Sequence, residues 1–164
     1  MAGEISMSFP KIGNMAPTFS LYNHLDEVVD LKEFRGQKTV VLYFYPKAMT
    51  PGCTTQACGL RDSQAELSAR DVVVFGISPD PVKKLAKFVE RDNLNFSLLS
   101  DEDHAVADQY GAWGPKKFMG KEFDGILRTT FIVGKDGRLK AVMDKFKTKS
   151  HHDDLLAQLD ALAL

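Results

Sequence analysis

The chain has two cysteines, Cys53 and Cys58, and both fall within the nine residues TPGCTTQAC at positions 50–58. A thiolate is a nucleophile, a metal ligand and one half of a disulfide. Placing all the cysteine in one short stretch therefore points to chemistry there. Cys53 follows Pro51 and Gly52 and stands where a helical segment begins. A helix start carries partial positive charge and unpaired backbone N–H groups. Both favour thiolate over thiol, and such positions bring a cysteine from about 8.5 to between roughly 3.5 and 7.5. The competing reading is a small buried hydrophobe, the usual state of a free cysteine. Pro51, Gly52 and Thr54 are poor core neighbours and weigh against it.

The spacing constrains what the pair can do. Five residues of helix rise about 7.5 Å and turn about 140° net. The two side chains then point to different sides, with Cα atoms beyond the ~7 Å reach of a disulfide. The pair cannot close on a wound helix, but it can close if the first turn or two unwinds. Thr54, Thr55 and Gln56 suit that, with Ala57 the one strong helix former among them. A bond that needs unwinding is a poor staple and a good switch. Zinc is the other use of paired thiolates, but a structural zinc site wants four ligands. His151 and His152 could supply the remainder; beside Ser150 they read instead as solvated cap residues. His24 and His104 lie in polar, turn-like contexts and read as exposed.

These residues need elements to position them. Thr39–Tyr45 is apolar throughout and rich in β-branched and aromatic residues, as is Val72–Ile77. Strands without polar alternation are covered on both faces, as in a parallel sheet flanked by helices. A helical segment from about Thr54 to Ala69 joins them into a right-handed βαβ unit. Upstream, residues 17–34 read as a strand, a turn around Asn23–Asp26, a second strand and one helical turn. Downstream, Asp80 reads as an N-cap with Pro81 at the first helical position, and Val82, Leu85, Ala86 and Val89 form one apolar stripe. Then come a short strand (96–99), a short helix in 101–110, and a Gly-rich segment (111–125) that reads as a loop. TTFIV, GKDG and RLKAVM form a β-hairpin. A last helix opens at Ser150, with Asp153 completing an acidic capping box and Leu155, Leu156, Leu159 and Leu162 on its buried side. This order predicts an α/β, thioredoxin-like fold: a central mixed β-sheet flanked by helices, with an N-terminal β-hairpin extension.

Composition bounds the rest. A chain of 164 residues, 44% hydrophobic, suits one core rather than two. We expect a loosely held N-terminal extension over residues 1–11 and a single domain over 12–164. With 21 basic and 22 acidic residues and no basic stripe, nucleic acid is not an expected partner. No apolar stretch approaches the roughly 20 residues of a membrane span, and the N-terminus lacks the apolar core of a secretory signal. The expectation is a cytoplasmic protein. In a reducing compartment a lone cysteine pair is catalytic or metal-binding more often than structural.

Pro46, Thr50 and Cys53 form P-x-x-x-T-x-x-C at the end of an apolar strand, which resembles the active-site motif of peroxiredoxins. The longer stretch FYPKAMTPGCTTQACGLRD is similar to the bacterioferritin comigratory protein group, also called peroxiredoxin Q. The likeness runs from about Ile12 to the C-terminus through DLKEFRG, LLSDEDH, WGPKKFMGKEFDGILRTTFIV and DKFKT. Ala48 and Gln56 stand where many members carry an acidic residue and a glutamate; neither is a reacting group. The resemblance implies a thiol peroxidase acting on hydrogen peroxide and organic hydroperoxides. Cys53 would become a sulfenic acid, Cys58 would resolve it to a disulfide, and a thioredoxin-type partner would reduce that. Thr50 would accept from the peroxide, Pro46 would shield Cys53, and Arg128 would hold the thiolate. Arg61, two turns on, lies too far to help. Trp113, Phe118 and Met119 read as an apolar wall for organic peroxides or as ordinary packing. No cofactor or metal is implied, and a resolving cysteine in the same helix suits a monomer. A thiol–disulfide oxidoreductase usually wants Cys-x-x-Cys; a non-enzymatic redox sensor would use the same switch without turnover.

Overall fold

The computed structural model describes residues 9–164. Its strands are β1 (Ser20–Asn23), β2 (Val28–Asp30), β3 (Thr39–Phe44), β4 (Val72–Ser78), β5 (Ser97–Ser100), β6 (Trp113–Phe118), β7 (Lys121–Ile126), β8 (Thr129–Val133) and β9 (Leu139–Met143). The helices are α1 (Pro51–Asp62), α2 (Gln64–Ala69), α3 (Val82–Asp92), α4 (Ala105–Gln109) and α5 (His151–Ala161), with a 3-10 turn at Leu31–Phe34. Seven strands form one mixed sheet in the order β2-β1-β5-β4-β3-β8-β9. β3, β4 and β5 run parallel, while β8 lies antiparallel to β3.

Every residue of β3 is buried, because both faces of the sheet are covered. Val41, Tyr43 and Tyr45 point into one core with Leu60 of α1, Leu85 and Phe88 of α3, and Leu155 and Leu159 of α5. Val40, Leu42 and Phe44 point into the other, with Leu31, Val106, Tyr110, Ile126 and Phe131. The two-residue period of a strand thus explains an apolar run with no polar alternation. The N-terminal hairpin is the expected one. Asn23 closes it by accepting from the N–H groups of Leu25 (2.9 Å) and Glu27 (3.0 Å).

Several local expectations need correction. The single helix expected over 54–69 starts earlier, at Pro51, and is interrupted at Ser63. The Ser63 hydroxyl donates back to the Gly59 carbonyl (2.9 Å), a competition with the helical ladder typical of serine. Asp80 is not a helix cap: Pro81 occupies the N-cap position and α3 begins at Val82. The capping box at α5 does not form, since Ser150 makes no side-chain cap bond. The Gly-rich segment is no loop but the β6–β7 hairpin, standing apart from the main sheet. Its turn is Met119–Gly120, with φ of 51° and 79°, the two left-handed positions of a type I′ turn. Of the N-terminal extension expected over 1–11, residues 1–8 lie outside the described residues. Phe9 packs edge-on against Phe131, with ring centroids 5.9 Å apart.

Candidate active site

The site assembles at the C-terminal end of β3, where open α/β sheets place their ligands. Beyond β3, Tyr45 is buried and Pro46 half-buried. The Ala48 N–H then donates to Asp80 Oδ2 (2.7 Å), which also accepts from the Ser78 hydroxyl (2.8 Å). A buried carboxylate at the end of β4 thereby ties the loop to the neighbouring strand. Met49 takes a left-handed turn, φ 65°, and delivers Thr50 to the N-cap of α1. The Thr50 carbonyl accepts the first helical bond from Thr54 N–H (2.8 Å). The Thr50 hydroxyl donates to the Lys47 carbonyl (2.9 Å), which leaves its oxygen lone pairs available as acceptors. Pro51 fits the first helical position, because its fixed φ suits the turn and its missing N–H would have no partner there. The N–H groups of Gly52 and Cys53 precede the first helical bond and stay free for a ligand.

Cys53 is 1% exposed. It is buried, as the competing reading required, but it does not face hydrocarbon alone. Arg128, in the two-residue link between β7 and β8, donates from Nη2 to Cys53 Sγ at 3.4 Å. Its Nη1 donates to Gln56 Oε1 at 2.8 Å. The planar guanidinium is held by one fork and offers the other to sulfur. Gln56 is fully buried, and as a neutral acceptor it orients the cation without neutralising it. From α3, Arg91 donates to the Thr54 hydroxyl at 2.7 Å and braces the first turn of α1. The Lys116 ammonium stands near enough to respond to the site. Burial lowers its pKa and Arg128 lowers it further, while the Cys53 sulfur acts in the opposite sense.

Arg128 meets Cys53, Thr50 caps the helix that carries it, Pro46 stands in the loop between β3 and that helix, and Cys58 lies on the same unbroken helix as Cys53, both thiols free. Arg61 points elsewhere, donating to the Asp92 carbonyl (2.7 Å). Sequence reasoning missed Asp80 and Arg91 and undervalued Gln56. Their partners are 32, 37 and 72 residues distant, so no local pattern announces them. The histidines also need correcting. His151 is not a solvated cap residue but fully buried, its Nε2 against the Thr130 hydroxyl at 2.8 Å. Burial, reinforced by His152 and Arg128, pushes it down to about 3. His24 and His104 are half-buried rather than exposed; His104 stacks on Trp113 at 3.7 Å. Among the described residues no cluster of three or more His, Cys, Asp or Glu could hold a metal, and no helix is long and apolar enough to cross a membrane.

A thioredoxin-like sheet that seats a buried cysteine at a helix start, beneath an arginine, defines a thiol-based redox protein. Comparison with known proteins makes this specific. The AhpC/TSA family model matches residues 12–142. The peroxiredoxin Bcp of Escherichia coli (strain K12) is 56% identical over 146 residues, 89% of this chain and 93% of the relative. Among solved structures, peroxidoxin BcpB from Mycobacterium tuberculosis is 38% identical with a TM-score of 0.80, covering 92% of this chain and 97% of that one. The bacterioferritin comigratory protein of Xanthomonas campestris, described for its alkyl peroxide reduction activity, is 31% identical with a TM-score of 0.83, covering 89% and 92%. The chain belongs to the AhpC/TSA family, within the Bcp or peroxiredoxin Q group of thiol-dependent peroxidases.

Proposed function

We propose that Cys53 is the sulfur that reacts with peroxide and Cys58 the one that resolves it. The observation carrying this is the Cys53 Sγ at a helix start, with the Arg128 guanidinium 3.4 Å away. The cation and the free N–H groups stabilise a thiolate. That thiolate attacks one peroxide oxygen, the O–O bond breaks, and the departing oxygen leaves as alkoxide or hydroxide and takes a proton. Cys53 becomes a sulfenic acid. Arg128 steadies the charge developing on the leaving oxygen, and the Thr50 oxygen accepts from the peroxide O–H. Pro46 limits water around the sulfur.

Cys58 thiolate then attacks Cys53 sulfur and expels hydroxide, which leaves as water. The resulting disulfide is opened by a thioredoxin-type dithiol through a mixed disulfide. Because α1 is continuous from Pro51 to Asp62, this step requires its first turns to unwind. The substrates are hydrogen peroxide and organic hydroperoxides; the alkyl peroxide activity of the Xanthomonas relative supports the latter. The working unit is a cytoplasmic monomer whose single domain spans residues 12–164, since both cysteines lie in one helix.

Peroxide consumption with thioredoxin and its reductase tests the assignment. Cys53→Ser is expected to abolish turnover. Cys58→Ser is expected to form one trappable sulfenic acid per chain, on Cys53, and then stall with thioredoxin. Retained turnover in Cys53→Ser, or no sulfenate adduct on Cys53, contradicts it.

A further inference from the structure

At the free end of the β6–β7 hairpin, Phe118 is 66% exposed, Met119 85% and Phe123 47%. The two aromatics do not pack as ordinary core. The register pairs Phe118 with Lys121 and Lys116 with Phe123, so the strand period places these four residues on one face. Gly125 shares that face. A Cβ there would lie 3.2 Å from Lys116 Cδ and 3.4 Å from the Phe123 ring, so the lysine stem and the phenyl ring lie along the ribbon. The hairpin's acidic residues, Glu122 and Asp124, fall on the opposite face, where Lys117 pairs with Glu122 at 3.7 Å. The aromatic face therefore carries no carboxylate; Lys121 is its exposed cation, Lys116 is half-buried beside the site, and Met119 stands at the tip.

We propose that this hairpin face docks on an anionic phospholipid surface, with Phe118, Met119 and Phe123 entering the interface and Lys121 meeting the headgroup phosphates. The dimensions favour a lipid surface over a protein partner. The exposed apolar area of the three side chains is on the order of 350 Å², against about 800 Å² per partner in a standard protein interface. Shallow insertion of aromatic and aliphatic side chains, flanked by cations attracted to anionic lipid, needs no larger area. The ribbon also leads directly to the site: β7 ends at Ile126 and Arg128 follows two residues later. A docked hairpin would therefore bring Cys53 to a surface where lipid hydroperoxides form.

Flotation of the full-length reduced chain tests this, using vesicles of equimolar phosphatidylglycerol and phosphatidylcholine against vesicles of phosphatidylcholine alone. The chain is expected to float with the anionic vesicles only, and 0.5 M salt is expected to release it, because the attraction is screened. Phe118→Ser with Met119→Ser is expected to lower the bound fraction at least tenfold, and Lys121→Glu to lower it with the apolar tip intact. Cys53→Ser is expected to float like the unaltered chain, so the outcome is independent of the peroxidase assignment. Absence of flotation, equal flotation on neutral vesicles, or binding unaffected by either hairpin variant overturns the proposal. So does a tip-dependent dimer that ignores vesicles.

Discussion

Cys53 Sγ and the Arg128 guanidinium meet at 3.4 Å across 75 residues of sequence. A cation fixed beside a buried sulfur acts with little intervening water, where its charge counts most. Arg128→Met keeps the stem and removes the charge. It is expected to slow Cys53 oxidation by roughly 10²–10³-fold, the scale seen when one fixed donor is removed from an active site. Stopped-flow fluorescence over a range of peroxide concentrations reads that rate; a loss under threefold contradicts the role given to Arg128. At this scale the sequence was informative where chemistry needs a particular residue type at a fixed local spacing. Pro46, Thr50 and Cys53 were legible as a motif, and Arg128 through its resemblance. Gln56, Asp80 and Arg91 were not, because each acts on a group that only the folded chain brings near.

Among the elements, β3, β4 and β8 were legible because a two-sided core demands continuous apolar runs, and β9 because the GKDG turn follows β8 directly. The β6–β7 hairpin was not, because its Gly and Pro content imitates a loop while its turn at Met119–Gly120 works through φ rather than an Asn-Gly signal. The seating of α5 was also hidden, since its first residue looked like a cap. His151 is instead held against Thr130 and between Tyr43 and Phe146. Its folded-state value of about 3 lies below the ordinary 6.5, so between those limits the unfolded chain binds more protons. Stability is therefore expected to fall as the pH drops below about 6.5, at up to about 1.4 kcal/mol per unit, or about 2 kcal/mol by pH 5. His151→Asn keeps a polar partner for Thr130 without the titration. Urea unfolding at pH 7 and pH 5 is expected to show a smaller acid loss in the variant, by about that amount; equal losses contradict it.

On the proposed mechanism, the whole molecule divides the work between a rigid sheet and one helix that must give way. The strands that frame the site are covered on both faces, and the loop entering α1 is pinned by Asp80 to the end of β4. The start of α1 is held by a few side-chain bonds, from Arg91 to Thr54 and from Arg128 to Cys53 and Gln56, and an interruption at Ser63 limits the helix to Pro51–Asp62. Opening can then stay local, as low-stability segments do in otherwise intact proteins. Amide hydrogen exchange before and after one equivalent of peroxide, with the Cys53–Cys58 disulfide verified by mass spectrometry, tests this most directly. Exchange over residues 54–60 is expected to be much faster in the disulfide form, with β3, β4 and β8 as protected as before. A verified disulfide with the protection of 54–60 unchanged would contradict it.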